Sequence, residues 1–134
     1  MTGSRFLLAM ALTLTGCRRA AMPMPNVFPE TAGSWHRVSL ADLTAAQAPD
    51  PAPAVSIERV RAAVYEGPGK VEARVYQMTS AAVALDVVQR WAQTSNTVVF
   101  ESDRFFVVVK WQAAERTALQ EFVRALEKKF PAKR

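Results

Sequence analysis

The chain has 134 residues, 50% of them hydrophobic, and a formal net charge of +5. This length suits a single domain, and one cysteine cannot form an intrachain disulfide or a cysteine-based zinc site. Residues 18–127 carry 12 basic and 12 acidic side chains, so the excess positive charge lies in the leader and in the C-terminal tail. The basic stripe with interleaved aromatic residues that marks nucleic-acid binding is missing from the sequence. We therefore expect no nucleic-acid partner.

A secretory leader is predicted at the N-terminus. Arg5 precedes an apolar run at residues 6–14, and a positive start followed by a short apolar run and small residues is typical of a signal peptide. A membrane-spanning helix needs about 20 apolar residues, so this run is too short to span. A buried core helix is the alternative, but the run lacks a polar face and is closely followed by Arg18 and Arg19.

The leader ends in Leu14-Thr15-Gly16-Cys17, which resembles the lipobox of bacterial lipoproteins. The resemblance implies that residues 1–16 are removed as a signal peptide and that Cys17 carries a diacylglyceryl thioether and further acyl chains such as palmitate. It also implies a cell-envelope location, with the lipid anchored in a bacterial membrane and the domain facing the periplasm or the exterior. An ordinary leader with a chance cysteine is the alternative, because the leader holds one charge and two arginines directly follow Cys17.

Residues 17–33 are predicted to form an extended linker between the lipid and the domain. They include three prolines, and proline fixes φ and removes a backbone donor, which excludes a helix. A single domain is predicted at residues 34–134. At its start, residues 34–40 are expected to form an additional N-terminal strand anchored by Trp35, and residues 41–47 a helical turn.

Two β-hairpins follow, each marked by apolar residues at every second position. In the first, residues 60–65 and 71–76 alternate on either side of Gly67-Pro68-Gly69-Lys70, which has Pro then Gly at its central positions. We expect Gly67 to lie opposite Lys70, which places Val64 opposite Ala73 and gathers the apolar residues on one side. A slip of one residue would mix the two faces.

The second hairpin is predicted at residues 98–111. With Glu101 opposite Arg104 at the turn, Phe100 faces Phe105. This register again puts the apolar side chains on a common side.

Each hairpin precedes a predicted helix. Ser80 is expected to cap the first helix, which covers residues 81–92. The second helix is predicted at residues 113–130. Its apolar residues share one stripe at helical spacing: Ala118, Leu119, Phe122, Val123, Leu126 and Phe130.

The predicted order is therefore β-β-α-β-β-α, an α+β fold in which an antiparallel sheet carries both helices on one face. Residues 71–78, Val-Glu-Ala-Arg-Val-Tyr-Gln-Met, and residues 104–109, Arg-Phe-Phe-Val-Val-Val, resemble a family of uncharacterised bacterial domains. Those domains share a strand ending in Tyr-x-Met, a helix of small residues and an aromatic strand. The resemblance covers roughly residues 60–128 and implies the fold, but no activity and no catalytic residue.

The sequence offers little for catalysis. His36 is the only histidine, whereas a metal site would need further imidazoles or clustered carboxylates. A Ser-His-Asp triad could use only His36, and the chain has no Gly-x-Ser-x-Gly elbow. We therefore predict no enzyme activity, no metal and no cofactor. An enzyme with an unrecognised site that uses His36 is the third and weakest alternative.

The candidate binding surface is the sheet face that points away from the helices. Its middle is expected to be apolar and its edge to mix arginine with tyrosine, and such patches often mark binding sites. The candidate binding residues are Arg61, Tyr65, Arg74, Tyr76, Phe106 and Lys110. The alternative, which the apolar residues Trp35, Val38, Leu40 and Leu43 favour, is that the segment from Trp35 to Ile57 folds over this face and buries it.

These observations predict a non-enzymatic envelope lipoprotein. It would be attached to the membrane through the lipid on Cys17 and would bind a protein or an envelope polymer through the open sheet face. The alternative from another class is a carrier or sensor of a small apolar ligand, held between the sheet and the N-terminal segment of the domain.

Overall fold

The computed structural model describes Met24, residues 26–48 and residues 51–130. They form a six-stranded antiparallel sheet with two α-helices, which confirms the α+β class. The strands are β1 (Thr31–Ala32), β2 (Trp35–Leu43), β3 (Ile57–Glu66), β4 (Lys70–Met78), β5 (Thr97–Ser102) and β6 (Phe105–Gln112). The helices are α1 (Ala81–Arg90) and α2 (Arg116–Glu127), and short 3₁₀ turns lie at Ala45–Gln47 and Ala54–Ser56. The order across the sheet is β1-β2-β3-β4-β6-β5, so β2 is the additional strand expected at residues 34–40.

The two helices pack on opposite faces of the sheet, so the prediction that both lie on one face is wrong. Successive side chains of a strand point to opposite faces, and β4 has buried side chains on both faces. Val71, Ala73 and Val75 belong to a hydrophobic cluster with α2, whereas Tyr76 and Met78 belong to a second cluster with α1. We call these sides of the sheet the α2 face and the α1 face.

The register of the first hairpin differs from the prediction by one residue. Glu66 pairs with Lys70, and Gly67-Pro68-Gly69 forms a three-residue loop between them. Tyr65 therefore lies opposite Val71 and points to the α2 face, because a one-residue slip exchanges the faces of a strand. Close approach requires the first glycine, because a Cβ on Gly67 would clash with the carbonyl oxygen of Ser34.

The register of the second hairpin differs from the prediction by two residues, which leaves the faces unchanged. Ser102 pairs with Phe105 and Phe100 with Val107. The tight turn between the strands is made possible by Asp103, whose φ of 52° lies in the left-handed region that Asp tolerates.

The helix boundaries follow local signals in the sequence. Ser80 caps α1, because its side-chain oxygen accepts a hydrogen bond from the backbone N–H of Val83 at 3.2 Å. The second helix is shorter than predicted at both ends. Its apolar stripe is confirmed, and the buried residues of α2 are Ala118, Leu119, Phe122 and Leu126.

The described residues directly before β2 belong to the folded domain. Val27 and Phe28 are 0% and 1% exposed and lie in the cluster on the α2 face. The hydroxyl of Tyr65 donates to the carbonyl oxygen of Pro29 at 2.7 Å, which holds this segment against the sheet. The linker predicted at residues 17–33 is therefore wrong for Met24 and residues 26–33, whereas residues 17–23, with Cys17, and residue 25 lie outside the described residues.

Candidate functional site

The six predicted binding residues do not share one face. Arg61 pairs with Val75 and Tyr65 with Val71, so these two side chains lie on the α2 face. The remaining four lie on the α1 face, where Tyr76 and Phe106 are 2% and 0% exposed because α1 covers them. The single open face predicted from the sequence is therefore wrong, since each side of the sheet is covered in part by a helix.

Arg61 and Arg74 are occupied by neighbouring carboxylates. Arg61 forms an ion pair of 2.7 Å with Asp42 on the adjacent strand. Arg74 forms one of 2.7 Å with Glu72 and also hydrogen-bonds to Tyr76. Because these pairs lie at or near the surface, each contributes at most about 1 kcal/mol to stability. Both arginines are therefore already paired within the domain, whereas the predicted binding surface required arginines that are free to contact a partner.

The expected cover of the α1 face by residues 35–57 is present only in part. Leu43 and Ala48 pack into the cluster on that face. In contrast, Val38 and Leu40 are 54% and 42% exposed, although we expected them to be buried. They are exposed because residues 35–43 extend the sheet sideways as β2 instead of folding over it.

Tyr65 has a structural role that gives a pH prediction. Burial raises the pKa of its hydroxyl from 10.0 to about 12, and the Arg37 guanidinium partly opposes this shift by lowering the pKa. The folded chain thus holds this proton more tightly than the unfolded chain. The stability contributed by neutral Tyr65 is fully present below about pH 10 and is lost as the pH rises towards about 12.

We expect Tyr65→Phe to weaken this alkaline loss. In the parent chain Tyr65 makes the free energy of unfolding fall by up to about 1.4 kcal/mol per pH unit above pH 10. The variant loses that contribution, and it also loses about 1 kcal/mol at neutral pH because the hydrogen bond to Pro29 is absent. Urea unfolding of both chains between about pH 8 and pH 11 measures the difference. Equal slopes above pH 10 would show that Tyr65 does not titrate as stated.

The outer edge of β2 is one candidate interaction surface. Strand β1 pairs only Thr31 with His36 and Ala32 with Trp35. Beyond the bulge between Arg37 and Ser39, the described residues provide no further strand on this side. We call residues 38–43 the β2 edge; all but the partly buried Leu43 are exposed.

A polar groove lies beside the end of β6 and contains Lys110, one of the predicted binding residues. Its volume is about 510 Å³. Lys110 pairs with Glu72 on β4 and Thr97 on β5, so these three side chains are neighbours on the α1 face of the sheet. The loop that closes the groove supplies Thr94, Ser95 and Asn96. Lys110 is the only predicted binding residue that lies exposed in a groove described here.

An apolar groove of about 610 Å³ lies along α2. Val98 and Trp111 come from the β5–β6 hairpin, and Leu119 and Val123 come from the helix. Arg116 and Arg124 also line this groove. The sequence carried a signal for this site that we did not use: Arg116, Gln120 and Arg124 recur at every fourth position and so share one side of α2.

The described residues contain no group of three or more His, Cys, Asp or Glu that could hold a metal ion. His36 is exposed and pairs with Glu66 across the β2–β3 ladder. Within the described part of the chain, none of the helices has the length and apolar character needed to cross a bilayer.

Both family resemblances stay predictions. The lipobox lies outside the described residues. Comparisons with protein-family models, with curated proteins and with solved structures found no match to this chain.

Proposed function

We propose that this chain is a non-enzymatic lipoprotein of a bacterial envelope that binds an extended segment of another envelope protein along the β2 edge. The lipid on Cys17 holds the domain at the membrane surface, and the partner adds a strand next to β2. The observation that supports this binding mode is the exposed outer edge of β2 beyond the short strand β1, which is unpaired in the described part of the chain.

The β2 edge has the chemistry for strand addition. An unpaired edge offers a row of backbone N–H and C=O groups, and natural proteins usually protect such edges with lysine, proline or a covering segment. The β2 edge contains neither lysine nor proline, and its single charge, Asp42, is already paired with Arg61. The bulge and β1 protect only the beginning of strand β2.

The length and side chains of the β2 edge also suit a peptide strand. Six residues extend about 20 Å, close to the usual length of a strand in a folded protein. In strand addition the backbone hydrogen bonds give affinity, and alternate side chains give specificity. Val38 and Leu40 supply exposed apolar contacts next to that ladder.

The proposal is tested by photo-crosslinking in cells that produce the full chain. A photo-reactive residue at Ala41 is expected to crosslink to a discrete envelope protein. Val38→Lys combined with Leu40→Lys should remove this crosslink, because charged side chains on an edge strand oppose pairing. Leu85→Lys is the matched control, since Leu85 is a similarly exposed leucine (45%) on α1 and its change should leave the crosslink intact.

Two outcomes contradict the proposal. The β2 edge is excluded as the binding surface if the Ala41 probe crosslinks no more than a probe at Leu85, or only to a second copy of this chain. The anchor is excluded if the chain from the membrane fraction still carries residues 1–16 and has no acyl mass on Cys17. A mass that begins at acylated Cys17 is the expected result.

A further inference from the structure

The apolar groove along α2 has an apolar floor and a charged rim, which suits a ligand with an apolar part and a charged part. Its floor is apolar: Trp111 is partly buried, Leu119 is buried and Val98 is 38% exposed. Its rim on α2 is formed by Arg116, Gln120, Arg124 and Glu127. Pockets for small ligands commonly combine an apolar lining with a few polar groups that fix orientation, at volumes of about 300–1,000 Å³.

The two arginines of the rim are available for an anion. Both are exposed, and none of the ion pairs in the described part of the chain involves either of them. They lie on the same side of α2, one turn before and one turn after Gln120, so each is about 6 Å along the helix axis from that residue. Arginine binds carboxylate and phosphate through two parallel hydrogen bonds.

We propose that this groove binds a fatty acid, with the acyl chain over Trp111 and Val98 and the carboxylate between Arg116 and Arg124. The charge of the rim selects a carboxylate over a phosphate. Arg116 and Arg124 together with Glu127 give a net charge of +1, which a singly charged carboxylate neutralises. A phosphate monoester carries about −1.5 to −2 at neutral pH and would leave excess negative charge next to Glu127.

This inference is independent of the β2 edge, because the groove lies at the β5–β6 end of the sheet. Calorimetric titration of the full chain with dodecanoate, below its micelle concentration, is expected to give saturable binding. Dodecan-1-ol has the same chain without the charge and should bind at least about tenfold more weakly, as expected when a charge-assisted hydrogen bond is lost. Dodecyl phosphate should bind no more tightly than dodecanoate.

Matched variants locate the site. Arg116→Gln with Arg124→Gln should weaken dodecanoate binding at least about tenfold. Arg59→Gln with Arg90→Gln removes the same charge from exposed positions elsewhere and should leave binding unchanged. Val98→Asp should abolish binding because it places a carboxylate in the apolar floor, whereas Val55→Asp, at an 86% exposed position, should not.

All these changes lie at exposed positions, and an unchanged circular dichroism melting curve verifies that each variant folds. The proposal is overturned if dodecanoate shows no saturable binding or if dodecan-1-ol binds equally well. It is also overturned if the two arginine pairs lose affinity to the same extent. Tighter binding of dodecyl phosphate would overturn the assignment to a fatty acid.

Discussion

Replacing Phe28 with alanine is expected to lower the free energy of unfolding by about 3–5 kcal/mol, the usual cost of removing a buried aromatic ring. Phe28 is 1% exposed and packs in the cluster on the α2 face. Its backbone carbonyl oxygen accepts a hydrogen bond of 2.6 Å from Arg37, and this bond does not need the ring. The loss therefore reports the packing of the side chain. A small domain has only about 5–15 kcal/mol of stability, so the variant is expected to be close to unfolding.

Urea unfolding of the full chain, followed by circular dichroism, measures this effect. Val55→Ala is the control, because Val55 is 86% exposed and exposed substitutions usually change stability by less than about 0.5 kcal/mol. The sequence alone predicted an extended linker at Phe28, outside the domain, for which the two variants would behave alike. A loss below about 1 kcal/mol for Phe28→Ala would support that linker and contradict the packing described here.

Local structure was largely predictable because its causes lie within a few residues. Alternating apolar residues identified β3 to β6, and Ser80 identified the start of α1 through its side-chain oxygen. The helical stripe that includes Phe122 identified the buried side of α2. The two periodic signals follow from backbone geometry, with a period of two for strands and 3.6 for helices, and the cap follows from a hydrogen bond between residues three apart.

The placement of the helices was not predictable from the alternation that we used. It depends on tertiary packing, because α1 and α2 join different clusters on the two faces of β4. The loop Gly67-Pro68-Gly69 separately moved the register of the first hairpin by one residue, which exchanged the faces of the β3 side chains. One signal for the correct answer was present. Residues 105–109 are five consecutive apolar residues, and a continuous apolar run indicates a strand that is buried on both faces. All five are buried in β6, between α1 on one face and α2 on the other.

The candidate sites were missed for the same reason. The predicted surface required Tyr65 and Tyr76 on one open face, but the register separates them and each is covered. Val38 and Leu40 were expected to be buried because they are apolar, although the position of β2 in the sheet leaves them exposed. Apolar character predicts burial only when the elements that cover a residue are known. Those elements are determined by the tertiary structure.

Replacing Trp35 with alanine is expected to cost about 3–5 kcal/mol of unfolding free energy, whereas Trp35→Phe should cost clearly less. Trp35 is 0% exposed, and its indole N–H donates to the carbonyl oxygen of Ala118 in α2 at 3.0 Å. Phenylalanine keeps an aromatic ring but removes this donor, which is worth about 0.5–1.5 kcal/mol. Equal losses for the two variants, measured by urea unfolding, would show that the ring contributes nothing to the packing of α2.

Double-mutant cycles test whether the sheet separates the hydrophobic cluster on the α2 face from the cluster on the α1 face. The ring of Trp35 meets Phe122 edge-on with centroids 6.0 Å apart, and such a pair is worth about 0.5–1.5 kcal/mol beyond its buried area. We therefore expect Trp35→Leu and Phe122→Leu to be coupled by about that amount. Trp91 packs against Phe106 in the cluster on the α1 face, so Trp35→Leu and Trp91→Leu should be additive within about 0.5 kcal/mol. Strong coupling between the two tryptophans would mean that the two faces form one core and that the helices do not lie on opposite sides.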